Sequence, residues 1–371
     1  MNKKQLRILL APLDWGLGHV TRCLPIIQHI LSLGHQVIFA GNTDQQLYVK
    51  NTFPNIEFLL LEGYNVQYAK TKLGFLPKII AQIPRLKKCI KKEHIWLQNN
   101  IKTHKIDAVI SDNRYGLYSD LVPCTFMTHQ LQIRTGFDQF FDGILLKLHY
   151  RFIEKFSNCW VVDIEDGDGL SGSLAHPKQL PKIKTNYIGL LSQCAGKGSK
   201  DVQKDFLVLI LLSGAEPQRT ILSDILWKKA LRSDQHIIFV AGTEAAITPE
   251  HIPEHISFHK RLAPAELLIA INSASIVICR SGYSSLMDLV ALNKKAVLIP
   301  TPGQTEQEYL AKRMYKQKIF ISTSQQKFDI HTSLLNASLF PFTQARFNGS
   351  FDQYKPVVKN LLDGISKARR A

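Results

Sequence analysis

Between Val277 and Arg313 the chain reads VICRSGYSSLMDLVALNKKAVLIPTPGQTEQEYLAKR, and its polar residues gather where apolar runs end. Ile276 to Cys279 is a short β-branched strand running into Arg280, Ser281 and Gly282, with Ser284 and Ser285 next and helical spacing from Leu286. Unpaired N–H groups at such a helix start, with the positive end of its dipole, favour a diphosphate, and Arg280 adds a fixed charge. Asp288, farther along the helix, is placed to face a ribose. Pro300 to Gly303 stop a second strand and bring Gln304, Glu306 and Gln307 to the same end of the sheet, where open α/β sheets collect ligands. The chemistry these residues suit is the binding of a nucleotide sugar.

A second cluster lies near the amino terminus. Leu6 to Ala11 has the pattern of a buried strand and opens onto Trp15-Gly16-Leu17-Gly18-His19, after which Val20 to Leu33 has helical spacing and ends at Gly34. A glycine turn between strand and helix lets another molecule approach the backbone closely. Two glycines alone are a weak dinucleotide signal, because no third glycine stands at the required spacing, where Cys23 falls. The imidazole of His19 titrates near neutrality and could take a proton from an attacking hydroxyl, with the helix dipole keeping it uncharged. The plainer alternative is a histidine that caps the turn or packs on a neighbouring loop.

These residues resemble those of family 28 glycosyltransferases, the family of the lipid II-forming transferase of peptidoglycan synthesis. The resemblance implies an α/β chain of two doubly wound, Rossmann-like domains facing a cleft, the GT-B arrangement. Cys279-Arg280-Ser281-Gly282 matches the family's donor turn, Ser285 stands at its threonine, and Asp288 stands at the glutamate that holds the ribose. The family's paired glutamines fall on Gln307 and Glu308, so the second is replaced. Ser213, Gly214 and Arg219 correspond to a glycine- and serine-rich turn that contacts the diphosphate, although Arg219 also reads as a surface-helix arginine. Leu262 lies in the segment that holds the uracil. On the acceptor side, Gly16, Gly18 and His19, followed by Pro25, match a glycine-glycine-histidine turn, and His129 and Gln130 follow a strand whose family equivalent points polar residues into the cleft. Ser111 to Gly116 replaces a glycine-rich turn of the family, which argues for a different acceptor and makes Asp112 a rival base to His19.

The activity so implied is inverting transfer of a sugar from a UDP-sugar to a hydroxyl of a lipid-linked or cell-envelope acceptor, without metal or cofactor. Two alternatives remain open at the level of sequence. A UDP-sugar 2-epimerase of the same architecture would interconvert the sugar without an acceptor, and a non-catalytic sugar-nucleotide or membrane-binding module would turn over nothing.

The elements that must position these residues follow from the pattern. With 371 residues the chain exceeds one ordinary core, so two domains are expected. Strand patterns fall at 6–13, 36–40, 56–61, 108–111, 125–128 and 160–162, then at 206–212, 237–241, 256–259, 276–279, 296–299 and 319–322, with helical stretches between them. Residues 191–204, rich in Gly, Ser and Lys, read as a linker between an acceptor-side domain at 1–190 and a donor-binding domain at 205–352. A last helix at about 353–371 is expected to return to the first domain.

No run is long and apolar enough to span a bilayer, and the six cysteines show no paired spacing, which fits a reduced cytoplasmic setting. The net charge of +16 concentrates between Lys70 and Lys92, where basic residues alternate with Leu, Ile and Phe. Such a segment suits the inner face of an anionic membrane, and a solvated helix pair packed on the sheet is its alternative. No nucleic-acid motif accompanies the charge. Asp166-Gly167-Asp168 sits in a glycine- and serine-rich loop and is not read as a metal site. His251, His255 and His259 are not aligned by one helix, because Pro253 intervenes.

Overall fold

The computed structural model describes residues 5–64, 75–133, 139–198, 206–343 and 347–369. Its first sheet is built from β1 (Arg7–Pro12), β2 (Gln36–Gly41), β3 (Glu57–Leu60), β4 (Ala108–Asp112), β5 (Cys124–Thr128), β6 (Asn158–Val161) and β7 (Lys184–Tyr187), in the order β3-β2-β1-β4-β5-β6-β7. The second contains β8 (Leu207–Leu211), β9 (His236–Val240), β10 (Ile256–His259), β11 (Ile276–Cys279), β12 (Ala296–Leu298) and β13 (Ile321–Ser322), in the order β10-β9-β8-β11-β12-β13. All pairings are parallel. Helices cover both faces of such sheets, so the central strands are continuously apolar rather than alternating. Ile8, Leu9 and Leu10 of β1 and Val208, Leu209 and Ile210 of β8 have no exposed surface.

Both sheets are doubly wound, as the sequence pattern implies. Each grows outward from its first strand in one direction and then restarts beside that strand in the other. The reversal falls between β1 and β4 in the first sheet and between β8 and β11 in the second. At such a switch point the two following loops part, and a crevice opens at the carboxyl ends of the strands. Pro12 is paired with Asp112 at the first crevice, and Leu211 with Cys279 at the second.

The helices are α1 (Gly18–Ser32), α2 (Thr43–Thr52), α3 (Phe75–Thr103), α4 (Gln139–Ile153), α5 (Gln218–Ala230), α6 (Pro264–Ser273), α7 (Tyr283–Ala291), α8 (Thr305–Lys316), α9 (Ile330–Leu339) and α10 (Tyr354–Ala368). Leu9, Val109, Phe126 and Val161 lie in one core, and Val208, Ile210, Phe239, Ile278 and Val297 lie in another.

The chain divides into two compact units. One comprises Met1–Gln67, Leu76–Gln193 and Gly349–Ala371; the other takes Cys194–Asn348, with Tyr68–Phe75. The division between Gln193 and Cys194 falls inside the expected linker at 191–204. Leu191 and Cys194 are buried, and the Leu190 N–H donates to the Ser350 carbonyl at 3.0 Å, so the start of that segment is packed. Residues 199–204 of it lie outside the described residues. Within the first unit α10 packs on α1: His29 meets the Tyr354 ring edge-on at 5.8 Å and donates to the Lys355 carbonyl at 3.1 Å.

Lys70 and Lys72 also lie outside the described residues. From Phe75 the basic segment is one helix, α3, which carries Pro84 inside it, rather than a pair. Arg85, Lys87, Lys88, Lys91 and Lys92 are exposed along it. No helix among the described residues is long and apolar enough to cross a membrane.

Candidate active site

In the second unit, the switch point gathers the loops that follow β8 and β11. Gly214 turns the chain after β8 with φ +103°, a conformation that favours glycine, and Ser213 beside it is exposed. Arg219, in the first turn of α5, pairs with Glu216 at 2.7 Å and donates to the carbonyls of Gly214 and Gly242 at 3.3 and 3.4 Å. It therefore ties the loops after β8 and β9 together. Leu262 is half-buried just before α6, where Glu266 of the first turn accepts from the N–H of the N-cap residue Ala263 at 2.9 Å.

Three helices start at this end of the second sheet beside the switch point, and their charges differ. Glu216 accepts from the Thr220 N–H and caps α5. Glu306 and Glu308 stand in the first turn of α8. Only α7 of the three starts with neither an acidic residue nor a capping side chain, its N-cap being Gly282. An anion is accordingly favoured at α7 and opposed at α5 and α8. This helix begins three residues earlier than its spacing suggests, because Gly282 is extended at φ −70° and ψ 140° and lets Tyr283 enter the first turn. Ser285 and Asp288 are half-buried on α7 one turn apart.

Several of the residues expected on the donor side are bonded within the frame. Arg280 is buried, and its guanidinium donates to the carbonyls of Ile299 (3.2 Å), Pro300 (3.1 Å) and Gln218 (2.8 Å). It staples the ends of β11 and β12 to α5, and burial pushes its pKa down to about 10. The Ser281 hydroxyl is spent on the Gln307 carbonyl at 2.9 Å. Gln307 is buried with its side-chain oxygen on the Thr301 N–H at 3.0 Å, and Glu308 accepts from the Gly303 N–H at 2.9 Å. Both hold the loop after β12, with Gln304 as N-cap of α8.

In the first unit the switch point brings together residues far apart in sequence. Gly16 turns at φ +83°, and His19 stands in the first turn of α1 with 13% of its side chain exposed. Its Nδ1 lies 2.9 Å from Asp112 Oδ2 at the end of β4. Asp112 is fully buried, and Arg22 grips it through Nε at 2.9 Å and through a second, shorter contact from Nη2 to Oδ1. Arg22 also reaches His19 Nδ1 and His129 Nδ1, each at 2.8 Å. Burial alone would raise the Asp112 pKa, but Arg22 and His19 pull it well below the usual carboxylate range. Burial and the Arg22 charge lower the pKa of His19, against the opposing pull of Asp112, so the imidazole is neutral at neutral pH.

Asp112, the rival base, is held inside this cluster. A carboxylate with no exposed surface and both oxygens bound cannot meet an incoming hydroxyl, whereas it can orient His19. Arg22 was not singled out in the sequence, although its signal was there: a charged residue one helical turn after His19, within an otherwise apolar helix face. Gln130 is half-buried, and its carbonyl accepts from His149 Nε2 at 3.1 Å, while the Tyr115 hydroxyl donates to His149 Nδ1 at 2.9 Å. The loop from Ser111 to Gly116, which departs from the family pattern, is held by a second buried pair. Arg114 contacts Glu93 at 2.6 Å and donates to the carbonyls of Pro12 and Glu62. Among the described residues no cluster of His, Cys, Asp and Glu is arranged to hold a metal, and Asp166 and Asp168 belong to a loop organised by the buried carboxylate of Asp163.

Residues 214–342 match the glycosyltransferase family 28 C-terminal domain, which spans the turns after β8, β11 and β12. An uncharacterized glycosyltransferase of Methanosarcina acetivorans is 23% identical over 336 residues, 82% of this chain and 80% of its own. Among solved structures, the glycotransferase of kitacinnamycin superimposes with a TM-score of 0.64 at 13% identity, covering 99% of each chain. MurG of Acinetobacter baumannii superimposes with a TM-score of 0.53 at 14% identity, over 98% of this chain and 99% of its own. Residues 214–342 thus form a glycosyltransferase family 28 C-terminal domain, and the chain as a whole has the GT-B fold.

Proposed function

We propose that this protein transfers a sugar from a UDP-sugar to an acceptor hydroxyl with inversion, using His19 as the base. The observation that supports this reading most is the contact of a neutral, partly exposed imidazole with a buried, ionised carboxylate. A proton on His19 Nδ1 directed at Asp112 leaves the Nε2 lone pair to accept the hydroxyl proton, and the imidazolium that forms is stabilised by the same carboxylate. The hydroxyl oxygen then bonds to the anomeric carbon as the bond to the diphosphate breaks. The departing negative charge is met by the start of α7 beyond Gly282, with Ser285 and Asp288 on that helix as candidate contacts to the rest of the nucleotide. The reading calls for no metal or cofactor.

The acceptor we propose is a lipid-linked or cell-envelope glycan at the inner face of a membrane. The exposed row Arg85, Lys87, Lys88, Lys91 and Lys92 supports such a site, because each basic residue close to an anionic surface contributes about 1 kcal/mol. The test is release of UDP from UDP-GlcNAc, UDP-glucose or UDP-galactose in the presence of membrane lipid extracts, with His19→Ala beside the wild type. Acceptor-dependent release that His19→Ala abolishes is expected. Sugar interconversion without acceptor would replace the reading by epimerisation, and binding without any turnover would reduce the chain to a sugar-nucleotide module.

A further inference from the structure

One side chain at the first-unit switch point has a role that neither the fold nor the family match assigns. Arg22 is 1% exposed, lies on α1 one turn beyond His19, and spends its donors in three directions. Nε and Nη2 face the two oxygens of Asp112 at the end of β4. Nη2 also lies 2.8 Å from His19 Nδ1, whose proton goes to Asp112, so this contact sets a positive charge beside the ring and is not a hydrogen bond; Nη1 lies 2.8 Å from His129 Nδ1 beyond β5. A planar guanidinium with a fixed fork of donors fits this demand, and a lysine ammonium does not. The arrangement has a strict chemical consequence. A guanidinium only donates, so Nδ1 of His129 must accept, and the proton of that ring sits on Nε2.

We propose that Arg22 is the positioning residue of this site, one guanidinium holding Asp112 and His129 directly, and His19 through Asp112, in a single register. The proposal rests on His19 being the base, but its physical content does not need turnover to be tested. The charged and titratable groups facing His19 are Arg22 from its own helix, Asp112 from β4 and His129 from the loop after β5, with the Cys23 thiol 3.8 Å from Asp112. Of these, Arg22 opposes protonation of His19 and Asp112 favours it. Removing the cation therefore has a defined sign: His19 becomes easier to protonate.

The experiment is a histidine nitrogen NMR titration of the full chain, comparing wild type with Arg22→Lys and Arg22→Met. In the wild type, His129 is expected as the Nε2–H tautomer, and a proton found on its Nδ1 overturns the proposal even if neither variant folds. In Arg22→Met, His19 is expected to titrate at least half a pH unit higher than in wild type. In Arg22→Lys it keeps the charge effect but loses the fixed His129 tautomer. An unchanged His19 titration in folded Arg22→Met contradicts the role assigned to the guanidinium. Where sugar transfer is measurable, the acid limb of the kcat profile moves upward in Arg22→Met with KM little changed. Loss of activity in His19→Ala bears on the base itself, so the two claims fail separately.

Discussion

His19 Nδ1 lies 2.9 Å from Asp112 Oδ2, although 93 positions separate the two residues in the chain. The topology explains the meeting. β1 and β4 are neighbours across the reversal of the first sheet, so the helix after one and the last residue of the other border the same crevice.

Each partner of that contact has its own expected signature. His19→Ala lowers kcat by roughly 10²- to 10⁴-fold, the usual worth of a positioned base, with little change in melting temperature because the ring is partly exposed. Asp112→Ala lowers both activity and stability, since it strands the buried Arg22 charge at a cost of about 3–5 kcal/mol. Steady-state kinetics and thermal melting of the two variants separate these effects. Equal melting of Asp112→Ala and wild type would mean that the buried pair is not formed.

The staple made by Arg280 leads to a second expectation. Arg280→Ala leaves the carbonyls of Ile299, Pro300 and Gln218 without their donor and opens a gap in a buried place, which costs about 3 kcal/mol or more. Thermal melting in the absence of any ligand checks this. If Arg280→Ala melts like wild type, the guanidinium is not structural and its older reading as a phosphate contact regains force.

Much of this was legible in the sequence. The β-branched runs marked every strand of the second sheet and six of the first, because strands buried on both faces must be continuously apolar. β7 was missed: Lys184–Tyr187 is a polar edge strand whose only sheet neighbour among the described residues is β6, so it carries no apolar pattern. The turns that border both crevices were also visible, since Gly16, Gly214 and Gly282 punctuate strand-to-helix joints. What the sequence could not show was which polar side chains are consumed internally. Arg280, Ser281 and Gln307 have the residue types of ligand contacts, and only their carbonyl and N–H partners reveal them as parts of the frame. Arg22 went unnoticed for the converse reason, because its partners come from two other strand ends.

Acid stability provides a third expectation. Burial pushes the pKa of His149 down to about 4, so between pH 6.5 and 4 the unfolded chain binds a proton there that the folded chain does not. Stability from this group is complete above pH 6.5 and is lost as the pH falls through that window, by at most about 3 kcal/mol. His19, shifted in the same direction, adds to the slope. Urea unfolding at pH 7 and pH 4.5 is expected to show a smaller pH difference for His149→Gln than for wild type. An identical difference in both proteins would show that His149 does not bear the acid sensitivity.

The most direct test of the central claim is nucleotide-dependent melting of wild type and Gly282→Asp. A Cβ at Gly282 meets no heavy atom within 4 Å, and its φ of −70° suits an N-cap, so aspartate there is expected to cap α7 and gain a few tenths of a kcal/mol. The same carboxylate occupies the place assigned to the diphosphate. UDP, UDP-GlcNAc, UDP-glucose or UDP-galactose is predicted to stabilise the wild type, by about 2.7 kcal/mol at a hundredfold excess over Kd. Gly282→Asp is predicted to melt at or above the wild-type temperature and to gain nothing from any of them. Stabilisation of Gly282→Asp equal to that of wild type would move the nucleotide away from α7, and a wild type that responds to no UDP compound, or to NAD alone, would contradict the UDP-sugar transferase reading.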